Sequence, residues 1–598
     1  MSGTQHASGL SGSLPLDEWR RPSWRIRLPG ADSIWAIAFL VPYVGVFVAF
    51  VAYPVVFGLW MGHDPALYGL LMSDPRFADT AINTLVFVAI GVNVTMFAAL
   101  LLSGFFMRRT WWRRLLLAVF LIPWALPGFV VFTSIHFMLV TQWGLLDSLI
   151  RAVTGEDGPL FLVSTPIAMA SNIVAYIWKW LPFWTLIFAA GRMAIPQDIY
   201  DAADIDGATG HKRLIYVTFP LLASVYLICT LLDTVWTLGD YPTVYFVSSG
   251  APARTTDVLA TYGVHEAFDF ARPYLGVAAM MSALPIVIPV VLLLMRRVRA
   301  AGVTAMSMAL TAPLARLPRF RRGLVRRTAS AAFGIVLLIW TLLPVYNMLL
   351  VALDEDGDEF TGAIWPGNPN LDGFAALWNE DTFLLEHFWY RFGNSIKMGL
   401  ATMVLTVLIG SLASFVLGRM RLRGSRVIGD LALITYVLPT AFLAIPFVHI
   451  MHKYGLTDSL WSVIASQVAF ATPYAILILH QYGKLIPLEL DESAKVDGAT
   501  PWQIYRRIYV PLMAPALVAV GVYALLLAWN EYLYQYLLVL SMDSATVAVV
   551  INQFFNSDEA PWNYMMAIAI VYSLPPIAIY FALRRFMVAG LAMGGVKG

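Results

Sequence analysis

The stretch DAADIDGATGHKRLIYVTFP, residues 201–220, recurs as ESAKVDGATPWQIYRRIYVP, residues 492–511. Both copies begin with an acid, Asp201 and Glu492. Both carry Asp-Gly-Ala at the sixth to eighth positions (Asp206, Gly207, Ala208; Asp497, Gly498, Ala499) and Pro at the twentieth (Pro220, Pro511). The offset is 291 residues, and two further pairs extend the match at an offset of 311: WGLLDS (143–148) with YGLTDS (454–459), and NTL (83–85) with NSI (394–396). An insertion around 150–166 in the first copy accounts for the change of offset. Repeats of this length mean that the chain is one architecture written twice.

Each copy is built for lipid. Of the 598 residues, 59% are hydrophobic and only 13% charged, with a mean hydropathy of +0.71. A soluble protein of this size carries about 25% charged residues to cover its surface. Disordered, fibrous, disulfide-stapled and ordinary cytosolic enzyme classes are excluded. A helix needs about 20 apolar residues to cross the hydrocarbon core. Twelve stretches qualify, near 32–60, 79–107, 114–140, 163–190, 219–240, 272–295, 328–353, 392–418, 428–452, 461–483, 511–538 and 563–584. The runs are continuous rather than alternating, so helices are expected and not a barrel. The expected fold is an all-α polytopic membrane protein with two parallel six-helix halves. Cys229 is the single cysteine, which excludes an internal disulfide.

Sidedness follows from Lys and Arg in short loops. Arg108, Arg109, Arg113 and Arg114 follow the second stretch, and Arg419, Arg421, Arg423 and Arg426 follow the eighth. The connector 296–327 holds nine Arg and no acid, whereas 354–390 holds nine acids and no Lys or Arg. The expected plan is a cytoplasmic tail (1–30), a first six-helix domain (31–295), a cytoplasmic Arg-rich linker (296–327), a second six-helix domain (328–583) and a cytoplasmic tail (584–598). These Arg clusters fit topology rather than nucleic-acid binding.

The repeated motif reads as a short helix opened by an acid, which suits the helix dipole. A Gly-centred bend follows, and then an amphipathic piece leading into a Pro-started span. A helix on the cytoplasmic surface either anchors at the lipid interface or docks into a partner. These residues resemble the EAA motifs of bacterial ATP-binding-cassette importer permeases. The wider chain is similar to the maltose-type carbohydrate branch, through IWKWLPFWTLIFAAGRMAIPQDIYDAADIDGA (177–208), LLAWNEYLYQYLLVL (526–540) and RRFMVAGLAMGGVKG (584–598). Asp201 in place of the usual Glu, and Ser493 in place of the first Ala, depart from the pattern. The resemblance implies the type I importer permease fold, with two usually separate subunits fused. It also implies coupling contacts through Asp201, Ala202, Asp206, Gly207, Glu492, Asp497 and Gly498 to two ATPase subunits, and an extracytoplasmic solute-binding protein. ATP and Mg would be bound by those ATPase partners. The chain itself has no phosphate loop, since Gly483-Lys484 is followed by Leu485. No catalytic constellation or metal site stands out, and the expected role is transport across the bacterial cytoplasmic membrane.

Polar groups inside spans usually face a cavity or one another. Tyr176, Lys179, Trp180 and Phe183 share one helix face, as do Asp233, Trp236, Thr237 and Asp240. Rings and carboxylates in two facing stripes suit a sugar, and the resemblance places the same positions at a carbohydrate site. The competing reading is helix packing with a Lys–Asp pair. Trp529 to Tyr532, Gln535, His449 and His452 are the polar residues of the second half. Import of a polyol or glycerophospho compound, or proton-coupled transport through Asp233, Asp240 or Glu531, are the alternative functions. Lys179 leaves neutral and anionic substrates both open.

Overall fold

The structure, a computed structural model, describes residues 31–107, 110–300, 324–354, 364–420, 439–557 (except 540 and 542) and 561–592. The tail 1–30, most of the Arg-rich linker, the start of the acidic loop and the last six residues lie outside the described residues. Among the described residues there is no strand.

Among the described residues, nine helices are long and apolar enough to cross a membrane: Ser33–Met61, Pro75–Phe106, Thr165–Met193, His211–Leu238, Thr328–Ala352, Phe383–Arg419, Leu460–Gly483, Pro501–Asn530 and Trp562–Ala582. Two bent pairs, Trp111–Ala125 with Gly128–Met138 (97°) and Pro273–Met281 with Leu284–Leu293 (45°), raise the number to 11. The expected stretch 428–452 is described only from residue 439, as the helix Thr440–Lys453. The stretch 114–140 is sharply broken, as its prolines lead one to expect. Pro123 and Pro127 flank the break, and neither can donate the hydrogen bond that would continue the helix.

The duplication appears as a shared clamp. Asn83 Nδ2 donates to the carbonyls of Thr255 (2.7 Å) and Asp257 (3.1 Å). Asn394 Nδ2 donates to those of Asp543 (3.0 Å) and Ala545 (3.1 Å). The next residue repeats the pattern, because Thr84 Oγ1 accepts from Leu259 N (2.9 Å) and Ser395 Oγ from Val547 N (3.2 Å). One Asn-Thr/Ser pair per half thus ties the second helix of that half to the loop before its last one. Each such bond contributes about 1 kcal/mol net.

Each half sends its first helix to the other. Ala31–Phe47 packs on Phe388–Arg419, where the Phe39 ring lies 5.9 Å from Phe415 and 5.7 Å from Tyr505. Leu324–Ala352 packs on Trp111–Phe120 and Gly128–Met138. There Ser134 Oγ donates to Pro344 O (2.9 Å), and Trp178 Nε1 to Trp340 O (2.9 Å). Lipid tails are as apolar as the helices, so shape and such hydrogen bonds hold the halves together.

The motif's second piece and the following span are not separate, as expected, but one continuous helix in each half. Ahead of Pro220 and Pro511 the helix widens into a π turn at Leu214–Thr218 and Tyr505–Tyr509. A proline ring clashes with the carbonyl four residues back, and one wide turn makes room for it.

Candidate functional site

The two predicted stripes meet, and the structure divides them by depth. Tyr176, Lys179, Asp233 and Thr237 are buried, while Trp180, Phe183, Trp236 and Asp240 are half-buried. Three of the buried four, Tyr176, Asp233 and Thr237, are bonded to one another. Asp233 Oδ1 accepts from Tyr176 Oη (2.8 Å) and Trp184 Nε1 (3.0 Å). The Thr237 hydroxyl lies 2.6 Å from the Tyr176 hydroxyl. Lys179 makes no ion pair with a carboxylate of either stripe. Its ammonium donates to the carbonyls of Pro123 (3.0 Å), Trp124 (3.3 Å) and Leu126, at the 97° break. Those carbonyls form the C-terminal, electronegative end of Trp111–Ala125, where a cation is favoured.

The half-buried set forms an aromatic wall. Trp236 lies 5.7 Å from Trp180, 6.2 Å from Phe183 and 5.7 Å from Trp184, and Phe183 stacks on Trp124 at 5.7 Å. Asp240 follows at the end of this wall, its Oδ1 accepting from Thr243 N (2.9 Å), the start of the short helix Pro242–Val247. Trp124 and Trp184 were not singled out by periodicity. Trp124 comes from the broken helix, whose contact with Phe183 no local pattern announces.

The second half repeats little of this site: Glu531 stands for Asp240 and Tyr474 for Phe183. Glu531, 291 residues after Asp240, caps Leu533–Leu538 in the same manner, accepting from Tyr534 N (2.7 Å) and Gln535 N (3.2 Å). At that offset Lys179, Trp180, Asp233, Trp236 and Thr237 correspond to Phe470, Ala471, Ala524, Leu527 and Ala528. The polar, aromatic wall therefore belongs to the first half alone. Trp529 Nε1 donates to Tyr572 O (3.2 Å), a packing contact. His449 lies beside Phe57 (6.3 Å), and His452 Nδ1 lies 3.3 Å from Thr457 Oγ1.

Sequence reasoning missed a ring stack that joins the halves. Tyr241 and Tyr245 stack on each other (5.0 Å) and on Tyr532 (6.2 and 5.9 Å), and Tyr532 stacks on Tyr536 (5.7 Å). The hydroxyls of Tyr245 and Tyr532 both donate to Asn552 Oδ1, and Asn556 Nδ2 donates to Tyr245 Oη (3.1 Å). His211–Leu238 and Pro501–Asn530 lead away from the repeated motif, so this stack sits at the opposite end of the bundle.

At the motif end, the two copies fold alike. The helices Gln197–Ile205 and Glu489–Val496 close with the same backbone bonds, Ala208 N to Ala203 O (2.8 Å) and Ala499 N to Ala494 O (2.9 Å). Gly207 (φ +74°) and Gly498 (φ +80°) supply the left-handed residue this ending needs. Asp201, Ala202, Asp206 and Gly207, and likewise Glu492, Asp497 and Gly498, are exposed. An apolar side chain stands out among them in both copies, Ile205 (86% exposed) and Val496 (88%). The copies differ in how they are held. Asp204 pairs with Arg213 of its own segment (3.3 Å), whereas Asp491 pairs with the buried Arg419 of a membrane helix (3.3 Å). Arg419 also donates to the carbonyls of Gly483 (2.9 Å) and Ile486 (2.8 Å). Burial pushes the Asp491 carboxyl up, against the pull of Arg419.

Residues 91–301 and 406–592 each match the family described as binding-protein-dependent transport system inner membrane component, and each match contains one copy of the motif. The chain belongs to this family. It is a multi-pass permease of the binding-protein-dependent type, with the family's domain present twice. The trehalose transport system permease protein SugB of Mycobacterium tuberculosis is 32% identical over 278 residues, which are 46% of this permease and 100% of the relative. The lactose transport system permease protein LacG of Rhizobium radiobacter is 32% identical over 43% of this permease and 91% of itself. The diacetylchitobiose uptake system permease protein DasC of Streptomyces coelicolor is 28% identical over 46% and 100%. A whole relative thus corresponds to about half of this permease.

Proposed function

We propose that this chain is the complete membrane permease of an ATP-driven carbohydrate importer of the bacterial cytoplasmic membrane. The observation that carries the proposal is the wall of Trp124, Trp180, Phe183 and Trp236 ending at Asp240. Aromatic faces cover the C–H face of a sugar, and a carboxylate accepts from its hydroxyls. The names of the trehalose, lactose and diacetylchitobiose relatives support the same substrate class.

In this reading residues 31–295 and 328–583 are the two permease domains, and both termini and the Arg-rich linker face the cytoplasm. Two copies of a separate ATPase, which hold ATP and Mg, grip Gln197–Ile205 and Glu489–Val496, with Ile205 and Val496 entering apolar sockets. An extracytoplasmic binding protein delivers the sugar to the other face, where the tyrosine stack closes the path between the halves. ATP binding shifts the population toward the state with that stack opened, because the ATPase dimer grips the coupling helices better in one state than in the other. The eight stripe residues divide their work. Trp180, Phe183, Trp236 and Asp240 meet the sugar, while Tyr176, Lys179, Asp233 and Thr237 hold the wall in place.

Sealed vesicles carrying the permease with its ATPase and binding protein test this. Uptake of radiolabelled sugar is expected to follow ATP and to be indifferent to a proton gradient. Trp236→Ala and Asp240→Ala should each lower uptake about ten- to hundred-fold, the loss of a hydrogen bond to a charged group being worth about 1.5–3 kcal/mol. ATP hydrolysis stimulated by the binding protein should partly survive. Uptake driven by the proton gradient, or both variants transporting normally, would refute the reading.

A further inference from the structure

An ammonium group has three N–H donors, and Lys179 has three carbonyl partners: Pro123 O, Trp124 O and Leu126 O. Lys179 is buried, with 5% of its surface exposed. Its donors are all engaged in holding the broken helix, so it has none left to offer a ligand. Asp240 is the converse case. It is half-buried, and only Oδ1 takes a backbone hydrogen bond, from Thr243. Thr243 is its only described hydrogen-bond partner, and no described cation pairs with it. Lys179 and Asp240 act on each other through space, beyond ion-pair distance. Asp233 adds a second carboxylate behind the wall, bonded to Tyr176 and Trp184. Two carboxylates thus share the region with one cation, and that cation's three donors are all taken.

We infer that this pocket passes neutral and amino sugars and excludes anionic ones, with Asp240 as the charge that decides and Lys179 as a positioning residue. The inference rests on the carbohydrate reading above and narrows its substrate class. A uronate, sulfonate or phosphate group would lie beside the Asp240 carboxylate in a poorly hydrated site, where like charges are strongly disfavoured. A sugar ammonium would meet a carboxylate oxygen able to form a charge-assisted hydrogen bond. A neutral hydroxyl lies between. The second half offers no compensating cation at the equivalent place, since Phe470 stands where Lys179 does in the first.

Three β-1,4-linked disaccharides of similar size separate the outcomes: cellobiose, its diamino analogue built of two glucosamines, and cellobiouronate. The full chain in nanodiscs is titrated with each in buffer at neutral pH, and the fluorescence of the tryptophan wall is followed. The diamino sugar is expected to bind about tenfold or more tighter than cellobiouronate, with cellobiose between them. Asp240→Asn should compress that spread to about threefold or less. Lys179→Met should lower the melting temperature by loosening the break at Leu126, and should leave the ranking of the three sugars as it was. Cellobiouronate binding tightest, or its binding being lost in Lys179→Met, would overturn the inference while leaving the carbohydrate reading intact. A chain that binds none of the three would sink both. An unchanged spread in Asp240→Asn would show that the selecting charge is not Asp240.

Discussion

Replacing Arg419 by Met should release Glu489–Val496 while leaving its counterpart Gln197–Ile205 untouched. In the native chain the Arg419 side chain is 3% exposed and its partner Asp491 10% exposed, 3.3 Å apart, with two carbonyl bonds beside them. Taking one member from a buried pair costs about 3–5 kcal/mol, because the other charge is left uncompensated. Asp491 lies at the end of the bundle, so the lower bound, about 3 kcal/mol, is appropriate. At about 1.4 kcal/mol per factor of ten, local opening of Glu489–Val496 becomes roughly a hundredfold more frequent. Asp491→Asn should cost only about 1 kcal/mol. It removes a carboxylate that burial already disfavours, and Arg419 keeps its carbonyls. Hydrogen exchange on the full chain in nanodiscs reads this directly. Glu492 N, bonded to Leu488 O (3.1 Å), and Asp497 N, bonded to Ser493 O (3.1 Å), are the reporters. Exchange should accelerate about a hundredfold in Arg419→Met, tenfold or less in Asp491→Asn, and not at all in Gln197–Ile205. Equal effects of the two variants, or none, would refute the claim that Arg419 welds this segment to the membrane helices.

Asn83→Ala and Asn394→Ala each remove two bonds to loop carbonyls and should lower stability alike, by about 1–3 kcal/mol, read from thermal or denaturant unfolding; a large loss in one alone would contradict the equivalence of the clamps. Ile205→Asp and Val496→Asp should reduce retention of the ATPase on the purified permease while insertion stays normal, and unchanged retention would remove these side chains from the interface. Gly207→Val and Gly498→Val force a β-branched residue to φ near +74° and +80°, a strain of about 1–2 kcal/mol, and should weaken ATPase-stimulated turnover. The pair Tyr245→Cys with Asn556→Cys should stop uptake on oxidation and recover it on reduction, the native Cys229 being buried; uptake indifferent to oxidation would mean that the ring stack need not open.

Much of this was legible in the sequence because it is local. Apolar runs located eleven of the stretches, and the 291-residue repeat placed both short motif helices and their Gly bends. Periodicity put Tyr176, Lys179, Trp180 and Phe183 on one face. What stayed hidden depends on distant partners. Lys179 reads as a charge seeking a carboxylate, and only the break at Leu126 reveals the carbonyls that satisfy it. Tyr241, Tyr245 and Tyr532 look like ordinary span-end aromatics until the halves are brought together. The exchange of Ala31–Phe47 and Leu324–Ala352 between halves likewise leaves no mark on either helix. Pro220 and Pro511 read as starts of spans, whereas a π turn ahead of each lets the helix pass through them.

The central claim is that one chain supplies a whole permease, with both coupling helices in a single polypeptide. The mass of the complex purified with its ATPase, measured by native mass spectrometry, tests it most directly. One copy of this chain with two copies of the ATPase is the expected composition. Two copies of this chain in each complex would contradict it, because four coupling helices would then compete for two ATPase sites.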